Sequence, residues 1–261
     1  MNIGFIGCGN MGGALARAVA RVSYARIYLF DKDTERSIAL AKEIDAKPSE
    51  LSDLKECDYI FLGVKPNIVR GVLSELKELL DEDTVLISMC AGVKLESLTE
   101  AIGKNHPIIR IMPNTPVAYG EGMILYTATP DVGEVRLDKF LDFMKYAGTL
   151  DKIPEALIDA GSALSGCGPA FVYMFIEALA DGAVAAGLPR DKAMQYAAKT
   201  ALGAATVVLE SGKHPGELKD AVCSPGGSTI EGVLALEAGG MRGVVSDAVL
   251  SAYEKTKKLG K

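Results

Sequence analysis

The chain has 261 residues, 49% of them hydrophobic and 24% charged, ordinary globular composition with apolar material for one large domain or two smaller ones. Its formal net charge of -6 leaves no cationic footprint, so neither nucleic acid nor an anionic membrane is an expected partner. Five cysteines stand singly at Cys8, Cys57, Cys90, Cys167 and Cys223, with no Cys-x-x-Cys pair and no histidine at ligand spacing; they argue against a disulfide framework and a metal site and fit a reduced cytoplasmic protein.

The first half alternates short β-rich runs with amphipathic helical stretches, the texture of βαβ units and a parallel sheet. A strand is expected at 2–6, with no basic region, long apolar run and cleavage site of a signal peptide around it. Gly7-Cys8-Gly9-Asn10-Met11-Gly12 follows it and opens a helix expected over 12–22. In that setting G-x-G-x-x-G is a dinucleotide fingerprint. Gly7 permits the tight turn, Gly9 lets a pyrophosphate approach the backbone, and Gly12 allows close helix packing, while the helix N-terminus faces the anion.

The second strand, 26–30, ends at Asp31, where a dinucleotide fold places the carboxylate that binds the ribose 2′-hydroxyl. A carboxylate repels a 2′-phosphate and favours NADH; Lys32 and Arg36 beside it could pair with that phosphate. The choice between NADH and NADPH is open at this point, and Asp31 could also cap the next helix, expected over 34–43.

Further strands are expected at 59–64, 85–89, 108–112 and 123–126, and helices at 68–80 and 134–146. Ligands of such folds bind at the carboxyl ends of the strands. That places Val64-Lys65-Pro66, Cys90-Ala91-Gly92 and Met112-Pro113-Asn114-Thr115-Pro116 at the cofactor crevice, with Lys65 either near ribose or phosphate or a solvated surface lysine, and Asn114 either near the nicotinamide or only a turn residue.

From about Glu155 onward Ala-rich helical segments take over, expected at 169–186, 191–210, 216–222 and 228–259. Residues 170–187 are the most apolar long stretch. Glu177, Asp181 and many small residues bring it short of a membrane span of about 20 apolar residues, so a buried helix is expected, with Phe171, Phe175, Leu179 and Ala183 on one face. A helical domain with so few large side chains buries little surface alone, which points to a homodimer through its C-terminal helices.

Ser224-Pro225-Gly226-Gly227-Ser228-Thr229 is a glycine-rich loop running into a helix, a concavity of backbone N–H groups suited to a small carboxylate. Ser228 or Thr229 could instead cap that helix. His106 and His214, each followed by proline, read as structural or exposed. An imine, protonated from solvent, needs only positioning and a hydrogen bond, which Thr229 could give.

Val222-Cys223-Ser224-Pro225-Gly226-Gly227-Ser228-Thr229-Ile230, Leu164-Ser165-Gly166-Cys167-Gly168-Pro169-Ala170, Met112-Pro113-Asn114-Thr115-Pro116 and Val64-Lys65-Pro66, in this order around the fingerprint, resemble the signature stretches of the pyrroline-5-carboxylate reductases. The resemblance spans nearly the whole chain. It implies an α/β fold: a Rossmann, doubly wound NAD(P)-binding domain over 1–153, then an all-helical substrate-binding and dimerisation domain over 154–261, similar to the C-terminal domain of 6-phosphogluconate dehydrogenase. It implies hydride transfer from NADPH or NADH to C5 of L-1-pyrroline-5-carboxylate, giving L-proline as the last step of its biosynthesis.

The same resemblance implies that Thr229 bonds the ring nitrogen, that the backbone around Val222, Ser224, Gly227 and Ser228 holds the carboxylate, and that Glu155 lies on the substrate side. Lys65 and Ala91 are implied as cofactor contacts. A homodimer with interlocked C-terminal helices, decamers, and active sites shared between partner subunits are implied as well. Asp31 departs from the family's small polar residue or basic surroundings. A β-hydroxyacid dehydrogenase of the 6-phosphogluconate type would carry a catalytic Lys with an Asn four residues earlier; Lys199 has Gln195 there. A cofactor-sensing protein without chemistry is the non-enzyme alternative.

Overall fold

The structure, a computed structural model, describes residues 1–103 and 106–259. Eight strands form one sheet among the described residues: β1 (Asn2–Ile6), β2 (Arg26–Phe30), β3 (Lys47–Pro48), β4 (Tyr59–Leu62), β5 (Val85–Ser88), β6 (Ile108–Met112), β7 (Gly122–Ala128) and β8 (Gly148–Lys152). Their order is β3-β2-β1-β4-β5-β6-β7-β8, parallel except for the β6–β7 pair. The chain leaves β1 toward one edge and returns to its other side at β4, so the topological switch of a doubly wound fold lies between β1 and β4.

Every residue of β4, β5 and β6 is buried, which is why their sequences read as near-continuous apolar runs. Helices cover both faces: α1 (Asn10–Ala20), α2 (Thr34–Ile44), α3 (Val69–Leu76), α4 (Leu95–Ile102) and α5 (Gly133–Met144). Phe5 stacks on Phe61 at 4.4 Å, and Phe143 meets Phe61 edge-on, in the core layer shared with α1. Leu73, Leu76 and Leu98 of α3 and α4 fill the opposite layer. The sequence expectation omits β3 and β8. The first is two exposed residues and the second an edge strand without a buried position, so neither carries an apolar pattern.

Helix α6 (Glu155–Ser165) packs on β7, where Gly161 leaves room for Leu125; a β-carbon there would lie 2.3 Å from Leu125 Cδ1. The chain resolves into two compact units, Met1–Cys167 with Ala252–Lys261, and Gly168–Ser251. The second carries α7 (Gly168–Ala185), α8 (Arg190–Ser211), α9 (Pro215–Ala221), α10 (Ser228–Ala238) and the start of α11 (Met241–Leu259). The single helix expected over 228–259 is two, because Gly239-Gly240 ends α10 with Gly240 at φ +71°.

The burial expected of the most apolar helix is corrected. Only Ala180 of α7 is buried. The run Glu155–Ala185 is also long and apolar enough by composition to cross a membrane, against expectation, and only 11% of its apolar window is buried.

Candidate active site

The fingerprint forms the turn its spacing requires. Gly7 has φ +95°, and a β-carbon on it would fall 2.4 Å from Gly63 O. One on Gly12 would fall 2.0 Å from Gly7 O, whereas one on Gly9 would meet nothing within 4 Å. Two glycines are therefore demanded by the protein's own backbone, and the third faces open space. Gly9 precedes α1 with no side-chain cap, so the first N–H groups of that helix, at Asn10 and Met11, keep their donors for an anion. Gly63, at the end of β4, is a missed member of this corner. Its closeness to Gly7 follows from the β1–β4 pairing and has no local signal.

Asp31 closes the corner. Its Oδ2 accepts the Cys8 N–H at 2.7 Å and its Oδ1 the Asp33 N–H at 2.9 Å, with Arg36 3.8 Å from Oδ2. It is not the cap of α2; Asp33 is, accepting the Arg36 N–H. Lys32 is exposed beside it. Burial, and then the Asp31 carboxylate, push the Cys8 thiol up to about 12; burial likewise pushes Cys57 to about 12 and raises Cys90. These three thiols are neutral packing groups, without the thiolate a nucleophile needs.

The next strand ends lie along the same edge. Val64 is half-buried, and Lys65 and Pro66 are exposed at the start of a short 3-10 turn. After β5, Cys90 donates to the carbonyls of Leu62 and Val64 at 3.4 and 3.3 Å, and Gly92 takes φ +74°. Ala91 and Gly92 are half-buried there. Asn114 is buried and committed: its Nδ2 donates to Ser165 O and its Oδ1 accepts the Met123 N–H, each at 2.9 Å. It ties the loop after β6 to the end of α6.

Glu155 opens α6, and its Oε1 accepts the Leu95 N–H at 2.7 Å and the Arg110 guanidinium at 3.0 Å. Arg110 also reaches Asp159 at 3.1 Å. No local signal marks Arg110 in the sequence, since an arginine in a strand is ordinarily a surface residue.

In the second unit, Gly226 turns the loop with φ +69°, and Gly227 donates to Ser224 O at 3.0 Å. A β-carbon on Gly227 would sit 2.5 Å from Ser224 Oγ. Gly227 is the N-cap of α10 and no side chain caps it. Ser228 and Thr229 are thus exposed first-turn residues with hydroxyls unused for capping, beside exposed Val222. His214 caps α9 through the Gly216 N–H, and His106 is buried, its pKa lowered by desolvation. Among the described residues no group of three or more His, Cys, Asp or Glu is gathered to hold a metal. A cavity of about 730 Å³ lined by Tyr24, Asp58, Tyr59, Asp83, Arg136 and Asp142 lies at the amino ends of β4 and β5, away from this edge.

Two families match the chain. Residues 155–259 fit the one described as Pyrroline-5-carboxylate reductase dimerisation, and residues 2–92 the one described as NADP oxidoreductase coenzyme F420-dependent. The chain is 42% identical to the pyrroline-5-carboxylate reductase of Escherichia coli K12, over 99% of this chain and 98% of that one. It is 41% identical to the enzyme of that name from Glycine max, over 98% and 95%. A solved structure of Plasmodium falciparum pyrroline carboxylate reductase with NADP bound superposes with a TM-score of 0.88 at 34% identity, covering 100% of this chain and 98% of that one.

Proposed function

The chain belongs to the pyrroline-5-carboxylate reductase family and is an NAD(P)-dependent oxidoreductase, and from that premise we propose how its residues reduce L-1-pyrroline-5-carboxylate at C5 to L-proline, the last step of proline biosynthesis. The observation that carries the reductase half is the glycine corner, closed at Gly7 and Gly12 and open at Gly9, with Asp31 locked to the Cys8 N–H. These residues fit a dinucleotide. Gly9 admits the pyrophosphate to the N–H groups of Asn10 and Met11, Asp31 accepts a ribose hydroxyl, and Val64, Lys65, Pro66, Ala91 and Gly92 edge the cofactor. When bound, the nicotinamide supplies the hydride.

On the substrate side, the backbone around Val222, Ser224, Gly227 and Ser228 receives the carboxylate, and the Thr229 hydroxyl bonds the ring nitrogen. The free hydroxyl at the start of α10 supports that role. Asn114 bounds the crevice through its loop. Glu155, implied on the substrate side, is held at its Oε1 by Leu95 and Arg110 and enters this reading as a support of the crevice.

The cofactor preference we assign is NADH. Asp31 presents a fixed carboxylate, its side chain 12% exposed, where a 2′-phosphate would lie; Arg36 is already paired with Asp33 at 3.3 Å. The protein works as a homodimer through interlocked C-terminal helices, assembling further to decamers, in the cytoplasm, where its five free thiols stay reduced. Initial rates with the imine and either NADH or NADPH test both statements. No oxidation of either cofactor would refute the reaction, and a higher kcat/KM with NADPH would refute the preference.

A further inference from the structure

Resting on that nicotinamide site, we propose that Glu155 and Arg110 are positioning residues which hold the loop between β5 and α4 against the cofactor, through the hydrogen bond from the Leu95 N–H to Glu155 Oε1. The N-cap of α4 is Lys94, whose side chain has no acceptor and makes no cap bond. The first N–H of the helix would be an orphan donor. Glu155 supplies the acceptor from 60 residues away, at 2.7 Å, and places a negative charge at the helix N-terminus.

The loop this closes is fastened at its other end. Met89 N–H bonds Leu62 O at 3.2 Å, and Cys90 bonds the Leu62 and Val64 carbonyls. Ala91 and Gly92 lie between the two fastenings in a turn closed by the Val93 N–H on Cys90 O at 3.2 Å, at the carboxyl end of β5 and one strand from the switch point. Loosening either end frees them to move.

Arg110 sets the carboxylate. Its side chain is 2% exposed on a strand whose other residues are apolar, and a guanidinium so placed needs partners. It finds them four residues apart on one face of α6, Glu155 at 3.0 Å and Asp159 at 3.1 Å. The two carboxylates are 30% and 28% exposed and share the same arginine. Only Glu155 touches the loop, so Asp159 is an internal control for a role in stability alone.

Cofactor binding, read by NADH fluorescence without the imine, should weaken at least about tenfold in Glu155→Ala and return to within about threefold in Glu155→Gln, which keeps the acceptor. Asp159→Ala should lower the melting temperature about as much as Glu155→Ala yet leave cofactor affinity within about threefold. Equal weakening by the two alanine variants, or none in Glu155→Ala, overturns the proposal; so does a raised KM for the imine with cofactor affinity intact. Should Glu155→Ala fail to fold, Glu155→Asp against Asp159→Asn carries the same contrast, since the shorter side chain draws its oxygen off the fixed Leu95 N–H. A wild type that binds NADH but does not reduce the imine sinks the proposed reaction and leaves this role standing.

Discussion

The Thr229 hydroxyl sits in the first turn of a helix that does not use it. Its neighbour Gly227 is the cap, so removing the hydroxyl leaves the helix start intact. Thr229→Ala should therefore lower kcat at least about tenfold while NADH affinity stays within about threefold, with Thr229→Ser recovering part of the loss; steady-state kinetics beside a cofactor titration measure it, and unaltered turnover would remove Thr229 from the mechanism. Residues of this kind were legible in the sequence because loop and helix start are adjacent along the chain. Gly63 and Arg110 were not, since what makes them matter lies across the sheet: Gly7 on β1 for one, Glu155 on α6 for the other.

At the scale of elements, the βα corner separates two jobs that one motif performs. Gly12 lies against the Gly7 carbonyl and Gly9 against nothing, so the same substitution should have opposite signatures. Gly12→Ala forces the start of α1 off β1 and should cost about 1–3 kcal/mol of stability. Gly9→Ala should leave the melting temperature nearly unchanged and weaken cofactor binding, because its methyl occupies the pyrophosphate's approach. Thermal melts with and without NADH check both, and matching losses of stability would show that Gly9 is also packed. Strand and helix identity was readable here wherever burial on both faces or on one stripe shaped the sequence, as in β4, β5 and β6. Where burial was absent the pattern was too, as at Lys47–Pro48. The break at Gly239-Gly240 was present as two glycines but masked by the helical periodicity on either side.

For the whole molecule, the second unit poses a stability problem by itself. Its buried hydrophobic residues among those described are Ala180, Ala193 and Ala197, while Val172, Tyr173, Met174 and Leu209 are exposed. These alanines, with Ile176, Ala183, Val184 and Leu188 partly buried beside them, leave much apolar surface exposed, and a dimerisation family over 155–259 together with Glu177 and Asp181 within the apolar run favours a protein partner over lipid as its cover. The sequence carried this as a deficit of large side chains; it could not carry which surface is covered, since that depends on a second chain. If the covering chain is another copy and the substrate loop of one copy serves the nucleotide corner of its partner, two inactive variants should repair each other. Thr229→Ala has a sound corner and a damaged loop; Gly9→Asp has the reverse, with a charge that repels pyrophosphate at a position open enough to fold. Unfolded together and refolded as an equal mixture, they should form mixed dimers in which one of the two sites is whole, restoring activity to about a quarter of wild type. Sites built within a single chain would give no recovery, and light scattering showing a stable monomer at micromolar concentration would remove the dimer itself.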